Sequence, residues 1–138
     1  APRASAGPAR AQVEADVPAE RAVLEFVAAL EEAYRIGRVA PLEALPLSPL
    51  VREEIASELS HPVTRAASAG LTLRRLEVLR IESRPPEGWE VSTDETWVVP
   101  GGARSRLRFR YRLGRDGDVF RVNQMTPLMP EPVSETRP

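Results

Sequence analysis

No cysteine occurs in the 138 residues. That excludes a disulfide framework, a thiolate metal site and a thiol nucleophile; it fits a cytoplasmic protein without excluding an exported domain. Lysine is absent as well, so all nineteen basic residues are arginine. Lysine Schiff-base chemistry and a phosphate-loop lysine are therefore ruled out, and the bias matches a GC-rich bacterial genome. Histidine occurs once, at His61, and one histidine makes no metal site. No apolar run approaches the ~20 residues that span a bilayer, and no signal-peptide core is present. Neither sign of charge dominates: the net charge is −1, so there is no global field to attract nucleic acid or acidic lipid. Nothing in the composition implies a cofactor.

What is there is organised around Arg104 to Leu113, RSRLRFRYRL. Arg104, Arg106, Arg108, Arg110 and Arg112 alternate with Ser105, Leu107, Phe109, Tyr111 and Leu113. Successive side chains of a strand point to opposite faces. One face therefore carries a row of guanidiniums and the other an apolar, partly aromatic strip. Such a strand belongs to an antiparallel sheet with one side on a core and the other in water.

The length suits one domain. Residues 1–17 are rich in Ala, Pro and Arg, too poor in large apolar groups to offset their ordering entropy; they read as a disordered linker or stalk. The chain does not begin with methionine, which suggests processing or excision from a longer protein, and a stalk favours a membrane-tethered or extracytoplasmic setting. Pro18 to Ile36 reads as a long helix, with Asp16 near its start and Gly37 as its stop. Val23, Val27, Leu30 and Tyr34 form its apolar stripe, widened by Leu24 and Phe26. Ser48-Pro49 opens a second helix with Leu50, Val51, Ile55 and Leu59 on its buried side, and His61-Pro62 ends it. Thr64 to Ala69 adds a turn of helix before Gly70.

From Leu71 the period becomes two. Leu71–Ser83 is a strand whose broken alternation implies a bulge near Arg74-Arg75 or a stretch buried on both faces, and Pro85-Pro86-Glu87-Gly88 a turn. Trp89–Val99 is the next strand, Pro100-Gly101-Gly102 a turn, then the arginine strand. Asp116-Gly117 is a hairpin signal leading to Val119–Thr126. A two-residue Asp116-Gly117 turn pairs Leu113 with Phe120, Tyr111 with Val122 and Phe109 with Gln124. Across the other hairpin Glu95 falls near Phe109 and Thr93 near Tyr111, to within one two-residue step, with Asp94 beside Arg108 or Arg110. The expected fold is α+β, a single domain over 18–128: one long helix and short helices on a curved four-stranded antiparallel sheet, followed by a proline-rich disordered tail at 129–138. Its core should hold Val23, Val27, Leu30, Tyr34, Ile55, Leu59, Trp97, Leu107, Phe109, Tyr111, Leu113, Phe120 and Val122.

The order of these elements, with Thr93-x-Glu95-Thr96-Trp97, Tyr111-Arg112-Leu113, Asp116-Gly117 and Phe120-Arg121-Val122, resembles the cystatin-like cone of the nuclear-transport-factor-like superfamily. It is also similar to the intermembrane-space domain of chloroplast division proteins and bacterial relatives. The resemblance implies a bent sheet around the long helix, sometimes with a pocket at the open end. Members include isomerases, dehydratases, small-molecule binders and non-catalytic domains of membrane or regulatory proteins. Catalytic members place a His, Asp or Tyr cluster in the cone, whereas His61 here precedes the sheet.

Three candidate functions follow. Arg106, Arg108, Arg110 and Arg112 offer an interaction face for a protein partner; guanidiniums also bind phosphates bidentately, but Glu77, Glu90 and Asp94 are placed to pair with them, and nucleic acid is the least favoured partner. Thr93, Glu95, Trp97, Tyr111 and Gln124 share the inner face and are the candidates for a small-molecule pocket. Glu95 and Tyr111 are there the weak candidates for acid–base chemistry, since a carboxyl on an apolar face has a perturbed pKa. A non-catalytic interaction or scaffold domain of a larger protein is the favoured reading.

Overall fold

The computed structural model describes residues 7–84 and 88–128, with side chains described from Val17 onward. Four helices, α1 (Gly7–Ile36), α2 (Ala40–Glu43), α3 (Pro49–Ser60) and α4 (Pro62–Ser68), precede four strands, β1 (Thr72–Arg84), β2 (Gly88–Val98), β3 (Arg104–Asp116) and β4 (Val119–Leu128). The strands form one open antiparallel sheet in the order β1-β2-β3-β4. The fold is thus the expected α+β arrangement. The turn expected at Pro85-Pro86-Glu87 and the tail 129–138 lie outside the described residues.

α1 begins at Gly7, well before Pro18, which lies inside it. Proline there removes one intrahelical donor but has the right φ for a helix, so it did not set the start. Ala19, Val23, Phe26, Val27, Leu30, Ala33 and Tyr34 are buried, a spacing of three and four that lays one stripe along the sheet. Leu24, expected in that stripe, is 40% exposed. The helix ends where Gly37 takes φ 71° and donates to the Ala33 carbonyl, an αL cap that glycine adopts without Cβ strain.

α3 and α4 are set by their caps. Ser48 accepts from the Val51 N–H at 3.3 Å, with Pro49 following it. His61 closes α3 and caps α4, its Nδ1 accepting from the Val63 N–H at 3.3 Å. Val51, Ile55 and Leu59 face the core, while Leu50 is 55% exposed, one residue off the stripe it was expected to join.

The sheet register departs from ideal hairpins at three bulges. β1 carries the expected one between Leu73 and Arg75 and a second between Val78 and Arg80. At the first, Glu31 of α1 accepts the Leu73 N–H at 2.8 Å. The third is in β4. The last hairpin turns on Gly117-Asp118, closed by the Asp116–Val119 pair, so Leu113 faces Val122 and not Phe120. Gly117, at φ 62°, is the first residue of the loop, which moves the turn one residue along from the expected Asp116-Gly117. Asn123 is then inserted, placing Gln124 opposite Arg112, Met125 opposite Tyr111 and Pro127 opposite Phe109. Gly114 makes room for this insertion: a Cβ there would lie 2.7 Å from the Asn123 side-chain nitrogen. Between β2 and β3, Glu95 faces Leu107 and Thr93 faces Phe109, within the allowed step.

Ser48 ties the helices to this irregularity. Its hydroxyl donates to the Asn123 carbonyl at 3.1 Å, its N–H donates to the Val122 carbonyl, and the Val122 N–H donates to the Pro46 carbonyl. Ser48→Ala therefore removes a helix cap and a bulge partner together. The expected cost is about 1–2 kcal/mol, read as a lower urea midpoint; a change below a few tenths would show that water replaces both bonds.

The core lies between α1, α3 and the inner face of the sheet. Of the expected members, all are buried except Leu107, which packs against the cluster while partly exposed. Leu42, Leu47, Trp89 and Val91 join it. Phe26 meets Tyr111 edge-on at 5.9 Å between centroids, and Tyr34 meets Trp97 at 6.0 Å. Such pairs fix the helix against β2 and β3.

Candidate functional site

The inner face holds a polar cluster inside the core. Glu95 on β2 is 1% exposed. Its carboxyl accepts three hydrogen bonds: from the Tyr111 hydroxyl at 2.5 Å, from the Thr93 hydroxyl at 2.7 Å and from the Trp97 indole N–H at 2.8 Å. The strand geometry produces this directly. Thr93, Glu95 and Trp97 are alternate residues of one strand and so share a face, and Tyr111 reaches across from β3. Burial, then the neighbouring Glu95 charge, push the Tyr111 phenol far above its ordinary value. Tyr34 is raised in the same way, by burial and then by Glu58, to which its hydroxyl donates at 3.0 Å. Both phenols are proton donors in hydrogen bonds at any working pH.

Four of the five pocket candidates, Thr93, Glu95, Trp97 and Tyr111, are thus brought together. Gln124 is not. The Asn123 bulge turns it to the opposite face, where it is exposed and opposite Arg112. Two surface grooves border the sheet. One, of about 630 Å³, runs between α1 and β1 past Leu24 and Leu79. The other, of about 560 Å³, lies at the sheet end by Leu50, Trp89, Arg112 and Gln124. Neither is lined by Glu95 or Tyr111. The Trp89 indole N–H is buried and has no hydrogen-bond partner among the described residues.

The outer face is an ion-pair grid. Asp94 receives Arg106 bidentately, with Nη2 at 2.6 Å and Nε at 3.1 Å. Glu90 receives Arg84 Nη2 and Arg112 Nε, each at 3.1 Å, with Arg110 at 3.9 Å. The two acids are buried under the arginine stems, as long side chains lie along a surface with their heads in water. Among the described residues no acid lies within ion-pair distance of Arg104 or Arg108. Sequence reading placed Asp94 beside Arg108, and it does face Arg108 across the strands; its bonded partner is Arg106, one step along the diagonal. Arg84 and its bridge between Glu82 and Glu90 were missed, since that contact depends on where β1 ends. No group of three metal-ligating side chains occurs among the described residues, and no helix there is long and apolar enough to cross a membrane.

These acids give an acid limb. The Arg106 hydrogen bonds hold Asp94 below its ordinary value despite partial desolvation. Desolvation raises Glu90, but the bonds from Arg84 and Arg112 outweigh it and leave it lowered. Folded values below unfolded ones mean stabilisation that is whole above the unfolded values, 3.8 for Asp94 and 4.5 for Glu90, and lost as pH falls through the folded ones. The urea midpoint should be flat from neutral pH to about pH 5 and fall below about pH 4. Asp94→Asn should shallow that fall; an unchanged acid limb would remove Asp94 from the account.

No family model matches the chain, and no curated protein matches it. Solved structures do. The crystal structure of the intermembrane space region of chloroplast protein ARC6 is similar at a TM-score of 0.55 and 14% identity, covering 83% of this chain and 97% of that one. A solution NMR structure of a de novo designed β-sheet protein is similar at 0.51 and 16% identity, covering 81% and 90%. At such identities the likeness shows the fold alone. One of the two is a design, so the shared architecture carries no activity with it.

Proposed function

We propose that this chain is a non-catalytic protein-interaction or scaffold domain of a larger, tethered bacterial protein, and that its arginine face receives an acidic segment of a partner. The observation that carries the reading is the closed interior. The carboxyl best placed for acid–base chemistry, Glu95, is saturated by three donors from its own core, and a general acid or base must reach its substrate directly or through one water. The outer face, by contrast, is open. Arg75, Arg80, Arg84, Arg104, Arg106, Arg108, Arg110 and Arg112 lie on it against Glu77, Glu82, Glu90 and Asp94, a local basic surplus on a chain of net charge −1. Arg104 and Arg108 are its exposed members without an ion-pair partner among the described residues. The likeness to the intermembrane space region of ARC6 is in keeping with an accessory domain, and the order of the elements is in keeping with the nuclear-transport-factor-like superfamily.

A photo-crosslinker placed at position 108 of the full-length parent tests this. A discrete protein adduct is expected from position 108 and not from position 63, on the exposed surface of α4. Reversal of Arg104 and Arg108 to glutamate should abolish binding of that partner. Equal adducts from both positions, or binding indifferent to the reversal, would sink the assignment. A polyphosphate titration at low salt should stay flat; steep salt-dependent binding would move the reading to a polyanion ligand.

A further inference from the structure

The free edge of β1 carries a row of alternating charges, Arg75, Glu77, Arg80 and Glu82, that its own sheet balances only in part. Glu77 lies opposite Asp94 and Glu82 opposite Glu90, while Arg75 and Arg80 lie opposite Thr96 and Ser92. Like charges directly opposed across strands are destabilising. Along the strand, Arg75–Glu77 and Arg80–Glu82 approach to 3.5 Å, and Glu82 also accepts from Arg84 at 2.8 Å. Beside this edge is the groove lined by Leu24, Leu76, Val78, Leu79 and Ile81, with Leu79 45% exposed. The other edge of the sheet is shielded by the Leu47–Val122 bridge, the Asn123 bulge and Pro127, devices that stop a strand from pairing further. β1 has no bridge and no proline, though it carries two bulges of its own.

We propose that this edge binds a second copy of the chain, β1 against β1, antiparallel about a two-fold axis between Val78 and Leu79. The segment from Arg75 to Glu82 reads RLEVLRIE. Laid against its own reverse it matches at every position. Arg75 meets the second copy's Glu82, Leu76 its Ile81, Glu77 its Arg80 and Val78 its Leu79. A two-fold contact requires such self-complementarity. The bulge between Val78 and Arg80 makes the match three-dimensional. In a regular strand Glu77 and Arg80 would point to opposite faces; the extra residue returns both to the outer face, where they must be in order to meet. The same bulge leaves Leu79 at the groove, so the apolar surface there closes as the charges pair. Two four-stranded sheets then become one, with both arginine faces on the same side.

Sedimentation velocity of the 138-residue chain from low micromolar to submillimolar concentration tests the pairing. The parent should show a monomer–dimer equilibrium. Glu77→Arg and Arg80→Glu should each weaken it on the order of tenfold, because each reversal acts twice across the axis and opposes like charges. The double variant E77R/R80E restores both pairs and should return the dimer to near parental strength. Arg104→Glu with Arg108→Glu should leave it unchanged, which separates this edge from the arginine face. Near-ultraviolet circular dichroism from Trp89 and Trp97 verifies that each variant is folded, and Leu79→Asp, at an exposed site, supplies a further disruption if a reversal misfolds. A parent that stays monomeric throughout, single reversals without effect, or a double variant no better than the singles overturns the proposal.

Discussion

Glu95→Ala is expected to cost roughly 3–6 kcal/mol, a large share of the stability of a domain worth about 5–15 kcal/mol in all. The reason is the company Glu95 keeps. Tyr111, Thr93 and Trp97 all donate to it inside the core, and each donor left without an acceptor costs about 1–3 kcal/mol. Relaxation and a trapped water would recover part of the sum. Urea unfolding followed by tryptophan fluorescence gives the value. A loss below about 1 kcal/mol would mean that the cluster is not the buried network described. A companion set separates hydrogen bonding from packing. If orphaned donors dominate, Glu95→Leu should be nearly as damaging as alanine, and adding Tyr111→Phe and Thr93→Val should recover stability, because removing both sides of a buried bond is close to neutral. If packing dominates, those additions will only subtract.

The second large effect is expected at the helix. Phe26 is fully buried and meets the Tyr111 ring edge-on. Phe26→Ala removes an aromatic side chain from the junction of α1 with β3 and leaves a cavity, at a cost of about 3–5 kcal/mol. Leu24→Ala, two residues away on the exposed side, should change stability by less than about 0.5 kcal/mol. Thermal or urea unfolding of the pair decides the matter. Similar losses at both positions would mean that the helix is rotated from the orientation given by its buried stripe.

The strands and the long helix were legible because burial imposes a period on the sequence. Val23, Val27, Leu30 and Tyr34 recur at helical spacing, and Leu107 to Leu113 alternate with arginines, so both elements and most of the core could be named from pattern alone. The inner cluster was legible for the same reason, since Thr93, Glu95 and Trp97 alternate on one strand. What failed was what depends on a single inserted residue. Gln124 was placed beside Glu95 by counting from an ideal turn at Asp116-Gly117. The turn lies one residue later, which moves each partner by two and keeps the parity; the Asn123 insertion adds one more and reverses it. Gly114, whose missing Cβ leaves space for the Asn123 side chain, and the two successive polar residues Asn123-Gln124, which break the alternation, were the available signals. Leu24 and Leu50 were lost differently. Each is a large apolar residue next to a stripe, and a helical wheel alone does not say how wide the covered stripe is. The start of α1 was misjudged because Pro18 suits a first turn and also fits, at the loss of one bond, in the interior of a helix.

The strand order β1-β2-β3-β4 follows the order of synthesis, and this dictates a timetable. Every strand pairing in the sheet is between sequence neighbours, so each hairpin can zip as soon as it is made. The apolar stripe of α1 is covered in stages, first by α2 and β1 and last by β4. β4 follows that stripe by about a hundred residues, and the strap at Pro46–Ser48 bonds to Val122 and Asn123, about seventy-five residues further along the chain. At about 5–20 residues per second, the part of the stripe that β4 covers waits on the order of 5–20 s on the ribosome before that partner exists. The domain is therefore one that closes last at its C-terminal strand, and a stall late in translation would leave an apolar helix only partly covered beside a half-built sheet.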